Sequence, residues 1–166
     1  MERRWRYLIA LGSNVRHPRH GPPRAVLAAA LTELESRGLA VSAAASTIET
    51  DPIGPSIRRY ANSAAVIETD LEPPELLALL KEVESAYGRR PGGQPWRVRV
   101  LDLDIVLWSG GAFASGELTI PHPLFRTRPF VLLPAAEIAP GWRDPLSGGT
   151  VRQLRARLTR PRASHR

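Results

Sequence analysis

Leu101-Asp102-Leu103-Asp104-Ile105-Val106-Leu107 alternates apolar and acidic side chains, the pattern of a strand with one buried face. On that reading Leu101, Leu103, Ile105 and Leu107 form an apolar face. Asp102 and Asp104 share the other, their Cα atoms roughly 6–7 Å apart. Carboxylates that close repel each other unless a cation lies between them. Hard cations such as Mg²⁺ take oxygen ligands, often one or two carboxylates together with substrate phosphates. Just upstream stand Arg89, Arg90, Arg97 and Arg99, with no acid anywhere from 89 to 99. An arginine-rich loop leading into paired carboxylates reads as a site for a metal-chelated polyphosphate.

Upstream of this strand, Pro73-Pro74 opens a helix whose Leu76, Leu80, Val83 and Tyr87 recur at helical spacing, and Gly88 closes it. Asn62 to Glu68 reads as a strand, paired across the turn-rich Asp51-Pro52-Ile53-Gly54-Pro55 with a β-leaning stretch from Leu39 to Ile48. An earlier helix runs from Pro22-Pro23 to about Ser36, with Gly38 as its stop, and Tyr7 to Leu11 is a short buried strand. The order strand, helix, strand, strand, helix, strand matches the ferredoxin-like split βαβ arrangement. The fold class is therefore α+β, a ferredoxin-like βαββαβ sheet with helices on one face and a C-terminal appendage. In the appendage, Gly110-Gly111 and Pro121-His122-Pro123 are turns, and a helix begun at Pro129 should break at Pro134. Thr150 caps a last helix bearing Val151, Leu154 and Leu158. Residues 1–158 read as a single domain and 159–166 as a basic, flexible tail.

The formal charge of +7 invites a nucleic-acid partner, so its location matters. Residues 1–6 contribute +2 and residues 152–166 contribute +6, leaving the body close to neutral. The excess sits in two solvated ends, and no nucleic acid is expected. With no cysteine, disulfides and thiolate metal sites are excluded. No apolar run is long enough to span a membrane, and the first apolar stretch is too short for a signal peptide, so a soluble cytoplasmic protein is expected. There is no Walker phosphate loop, no Gly-x-Gly-x-x-Gly fingerprint and no His-Glu-x-x-His pattern. His17 and His20 read as an exposed loop rather than ligands.

Seven segments then occur in order. They are Ala10 to Asn14, Glu49 to Pro55, Tyr60 to Ala64, Trp96 to Ile105, Leu118 to Pro123, Arg128 to Leu132 and Ala136 to Pro140. Over about residues 7–140 the chain resembles the 6-hydroxymethyl-7,8-dihydropterin pyrophosphokinases of folate biosynthesis. The resemblance implies Mg-dependent transfer of diphosphate from ATP to the hydroxymethyl group of the reduced pterin, with two Mg²⁺ ions and AMP as the second product. It implies that Asp102 and Asp104 bind metal and, with Arg89 and Arg99, serve catalysis. ATP falls to Arg89, Trp96, Arg99, Ile105, Thr119, His122 and Arg128. The pterin falls to Thr50, Asp51, Ile53, Tyr60, Asn62, Trp96 and Phe130, with Tyr60 and Phe130 as an aromatic clamp and Asn62 reading the ring edge. Glu84 matches a further family acid. Partners are then small molecules only, with no nucleic acid or membrane, and the chain is expected to be a monomer.

The chain also departs from the family pattern. Trp96-Arg97-Val98-Arg99-Val100 replaces the usual Trp-Gly-Pro-Arg-Thr, and three family arginines fall on Pro91, Pro95 and Glu117. Arg90 and Arg97 stand close enough to compensate. Two rivals remain: a divergent or non-catalytic pterin binder, and a nucleic-acid-binding ferredoxin-like module that lacks the aromatic strand signature of RNA-recognition domains.

Overall fold

Strand β1 (Trp5–Ser13) lies inside the sheet and serves both of its faces: Tyr7, Ile9 and Leu11 enter one core while Leu8 enters another. The computed structural model describes residues 4–50, 59–88 and 100–160. After β1 come α1 (Pro23–Ser36), β2 (Ala40–Ala44), β3 (Ile48–Thr50), β4 (Tyr60–Thr69), α2 (Pro73–Ala86) and β5 (Asp102–Trp108). A small hairpin of β6 (Phe113–Ala114) and β7 (Thr119–Ile120), a 3-10 turn (Phe125–Thr127), α3 (Pro129–Ile138) and α4 (Val151–Thr159) complete the chain.

The sheet order is β2-β4-β1-β5, with β3 also on β4, and the pairs are antiparallel. This is the expected ferredoxin-like order with its second strand broken into β2 and β3. The helices begin and end where the sequence marks them. Pro23 is the first residue of α1, and Gly38 follows its end at φ 92°. Glu72 and Glu75 close a reciprocal capping box on α2, and Gly88 follows at φ 101°. The cap of α4 is Thr150, whose Oγ accepts from the Gln153 N–H at 3.1 Å.

Helices cover both faces of the sheet, not one. On the first, α1 and α2 pack Val26, Leu27, Leu34, Leu76, Leu80 and Val83 onto Tyr7, Ile9, Leu11, Ile67, Leu103 and Ile105. On the second, the supposed appendage builds a core of its own. Phe125, Val131, Leu132, Ala135, Val151 and Leu154 close over Leu8, Ala64, Val66, Val106 and Leu107. This burial explains why α3 runs on through Pro134. A proline inside a helix costs about 3 kcal/mol, whereas each fully buried Val or Leu gives about 1.5–3 kcal/mol, and Val131, Leu132 and Ala135 are all buried.

Leu107 also departs from the simple alternation. Opposite Leu8 and Ile9 the ladder skips from Leu107 to Ile105, so Val106 is an extra residue. This bulge inverts the side-chain phase. Leu101, Leu103 and Ile105 stay in the first core, but Leu107 turns into the second beside Val106.

Candidate functional site

The aspartate pair lies before the bulge, so its phase is intact. Gly12 of β1 pairs with Asn62 of β4 on one side and with Asp102 of β5 on the other. Ala10 likewise stands between Ala64 and Asp104. These residues therefore share one face of the sheet, opposite the first core. With strands 4.7–4.9 Å apart, the Cα atoms of Asn62 and Asp102 are roughly 9–10 Å apart across Gly12. Asp104 is exposed and Asp102 half-buried. At the same end of the sheet, β1 finishes, β3 ends, and β4 and β5 begin.

Gly12 is the floor of this row. A Cβ at that position would stand 3.3 Å from the Asn62 Oδ1, closer than ordinary contact. Asn62, itself 7% exposed, donates its Nδ2–H to the Thr50 Oγ1 at 3.3 Å. The bond orients the amide: Oδ1 faces the glycine, where it can accept a hydrogen bond from a ligand's edge. Thr50 thus meets Asn62 through its hydroxyl. Tyr60, paired with Thr50, continues the β4 row on the same face as Asn62.

The other flank comes from the segment after β7. The His122 N–H donates to the Val106 carbonyl at 3.0 Å, fastening the segment to the bulge of β5. The Leu124 N–H donates to His122 Nδ1 at 3.2 Å, so the neutral ring carries its proton on Nε2. Burial lowers the His122 pKa; the Asp104 carboxylate opposes this and the Arg128 guanidinium adds to it. Asp104 and Arg128 thus both act electrostatically on His122. Arg128 lies 5.6 Å over the ring of Phe130, which is half-buried in the first turn of α3.

The remaining expected residues divide. Thr119 is exposed on β7. The Ile105 side chain turns away from the aspartates into the first core, at 3% exposure, so only its main chain on the edge strand is available to a ligand. Glu84 is buried on α2. Asp51, Ile53, Arg89, Arg90, Pro91, Pro95, Trp96, Arg97 and Arg99 lie outside the described residues.

His17 and His20 are half-buried, not exposed. Their rings sit 4.7 Å apart and lie against Tyr87 at 5.7 and 4.9 Å. The His17 Nδ1 accepts from the N–H groups of Arg19 and His20 at 3.0 and 3.2 Å, which makes it a turn-forming residue. Among the described residues no group of three or more His, Cys, Asp or Glu gathers to hold a metal. The aspartate pair supplies oxygen donors on an accessible face, which fits Mg²⁺ completed by phosphate oxygens. Sequence reading missed Gly12; a glycine inside a strand, which marks close approach of another group, was the available signal.

The sequence profile of the family described as 7,8-dihydro-6-hydroxymethylpterin-pyrophosphokinase matches residues 8–140. The chain is 38% identical to a 2-amino-4-hydroxy-6-hydroxymethyldihydropteridine pyrophosphokinase of Synechocystis sp. over 148 residues, 89% of this chain and 73% of that one. It is 36% identical to the enzyme of the same name from Methylorubrum extorquens, over 92% of this chain and 93% of that one. Among solved structures, Plasmodium falciparum HPPK-DHPS with pteroate superposes with a TM-score of 0.70 at 13% identity, over 95% of this chain and 43% of that longer one. At that identity the likeness concerns the fold. No described helix is long and apolar enough to cross a membrane.

Proposed function

Because the chain belongs to the 7,8-dihydro-6-hydroxymethylpterin-pyrophosphokinase family, we propose that it transfers diphosphate from ATP to the hydroxymethyl group of 6-hydroxymethyl-7,8-dihydropterin. The observation that carries this reading is the row Asn62, Gly12, Asp102. An amide suited to a heterocycle's edge and a carboxylate suited to a cation stand on one face, separated by a residue with no side chain. A flat ring on the Asn62 side would direct its substituent toward the aspartates.

Tyr60 and Phe130 flank the ring, and Asn62 reads its edge, held by Thr50 with Asp51 and Ile53 completing the pocket. Asp102 and Asp104 hold two Mg²⁺ ions. When bound, these cations neutralise charge on the phosphate oxygens and help align them. Arg128, His122 and Thr119 serve ATP, Arg89, Arg99 and Trp96 join them as the family resemblance implies, and the Ile105 main chain serves the base. Arginine grips phosphate oxygens through paired hydrogen bonds. The pterin hydroxyl oxygen bonds to the β-phosphorus as the bond to the α,β-bridging oxygen breaks. AMP leaves, and the hydroxyl proton passes to solvent. Position and charge do most of the work. The chain acts on small molecules as a cytoplasmic monomer.

Incubation with Mg-ATP and 6-hydroxymethyl-7,8-dihydropterin tests this directly. AMP and pterin diphosphate should appear in equal amounts; ADP in place of AMP, or no turnover, would overturn it.

A further inference from the structure

Asp144 lies beyond the matched residues 8–140, yet it is the most completely buried acid among the described residues. Both of its oxygens are engaged. Arg126 donates Nε–H to Oδ2 at 2.5 Å and Nη2–H to Oδ1 at 2.8 Å. Ser147 donates its hydroxyl to Oδ2 at 2.6 Å, and the Leu146 N–H donates to Oδ1 at 3.0 Å. The main chain closes around the same residue: the Asp144 N–H donates to the Gly149 carbonyl at 2.9 Å, and the Gly148 N–H donates to the Asp144 carbonyl at 2.8 Å. Arg126 is also held from behind, its guanidinium 4.8 Å from the centroid of Phe125, a ring of the second core.

Arg126 belongs to the segment that carries His122 and Arg128, a continuous run of hydrogen-bonded turns. The Phe125 N–H donates to the His122 carbonyl at 3.2 Å, the Thr127 hydroxyl to the Leu124 carbonyl at 3.1 Å, and the Arg128 N–H to the Phe125 carbonyl at 3.4 Å. One end of the run is fixed to β5 by the His122 N–H. The other is anchored through Arg126. The charge matters as well as the tether. Arg126 is two residues from Arg128, and without its carboxylate a partly buried guanidinium would stand uncompensated there.

We propose that Asp144 is a positioning residue for the nucleotide side of the site: by gripping Arg126 in a two-pronged ion pair it fixes the turn that sets His122 and Arg128 relative to Asp104. The C-terminal region then acts as a brace for phosphate recognition. This rests on the reading of the site given above.

The test titrates α,β-methylene ATP with Mg²⁺ into the wild type, Asp144→Asn and Thr150→Ala by calorimetry, well below each melting temperature. Thr150→Ala removes the cap of α4 and so loosens the same region without touching Arg126. Asp144→Asn should weaken nucleotide binding about tenfold, with the pterin KM and the binding of Thr150→Ala both essentially unchanged. Unaltered nucleotide affinity in Asp144→Asn, equal weakening in the two variants, or a parallel rise in pterin KM would reduce Asp144 to a stabilising role and overturn the inference. If Asp144→Asn does not fold, Arg126→Lys takes its place, keeping the charge but not the fork, with the same split expected. A wild type that binds no nucleotide overturns the reading of the site and this inference with it. Binding without AMP formation overturns the assigned activity alone.

Discussion

The second face of the sheet has two ends, and the same three strands build both. At one end Leu8, Val66 and Val106 meet Val131, Leu132 and Val151 of α3 and α4 in the second core. At the other, Gly12, Asn62, Asp102 and Asp104 stand outside that core. Read along every second position, β1 runs Leu8, Ala10, Gly12, β4 runs Val66, Ala64, Asn62, and β5 runs Val106, Asp104, Asp102. Apolar bulk declines together on all three. Burial of apolar surface is worth about 25 cal/mol per Å², so a helix is held where that surface lies. Extended over the polar end, it would strip water from an amide and two carboxylates. The candidate site is therefore where the pattern that builds the core stops, and the sealed end holds the polar end in register.

The largest effect should come from breaking the polar end alone. Asp102→Ala removes one of the two carboxylates, and AMP formation should fall by at least about 10³-fold. The residue is only half-buried, so thermal unfolding followed by circular dichroism should show a melting temperature near that of the wild type. Appreciable turnover in this variant would remove the aspartate pair from the mechanism.

The converse substitution attacks the sealed end. Leu132 is fully buried in the second core, and Leu132→Ala should cost about 2–5 kcal/mol in urea unfolding. Activity per folded molecule should persist, because no ligand-facing group changes. If kcat falls while the protein remains folded, the two ends are coupled more tightly than the division implies.

Gly12→Ala sharpens the boundary between them. The added Cβ must push Asn62 Oδ1 away by a few tenths of an ångström from its 3.3 Å separation. The pterin KM should rise about tenfold, equivalent to roughly 1.4 kcal/mol, with stability little altered. A change confined to the ATP KM would place the pterin elsewhere.

Acid should expose the brace behind the sealed end. Burial works to raise the Asp144 pKa, but hydrogen bonds from Arg126, Ser147 and the Leu146 N–H, with the Arg126 charge, hold it well below the usual carboxylate range. Its folded pKa is depressed, so its contribution is fully present above the unfolded value of about 3.9 and is lost as pH falls further toward the folded one. Urea midpoints for the wild type should decline through that acid window, and Asp144→Asn should flatten the decline. Matching slopes in the two proteins would contradict this account.

The readable parts of the molecule are those set by local chemistry. Pro22-Pro23 and Pro73-Pro74 start helices, Gly38 and Gly88 end them, and the aspartates keep a period of two. What escaped depends on distant partners. The bulge at Val106 moves Leu107 to the other face; its one trace is the unbroken apolar run Ile105-Val106-Leu107, which alternation alone does not resolve. Pro134 signals a break that the second core overrides. Arg126 and Asp144 are 18 residues apart, and no local pattern joins them. The candidate site was suggested mainly by family resemblance, because the pairing that sets Asn62 and Asp102 on either side of Gly12 spans three strands.

The smallest expected effect separates orientation from contact at the polar end. Thr50→Val keeps the side-chain shape and removes the hydroxyl that accepts from Asn62 Nδ2. The amide loses its fixed sense and can present either edge to the space above Gly12. A neutral hydrogen bond is worth about 0.5–1.5 kcal/mol net, so the pterin KM should rise several-fold while ATP affinity and kcat hold. Asn62→Ala removes the amide itself and should cost more in the same parameter. If Thr50→Val in that background adds its full penalty again, the hydroxyl touches the pterin directly; if it adds little, its role runs through Asn62.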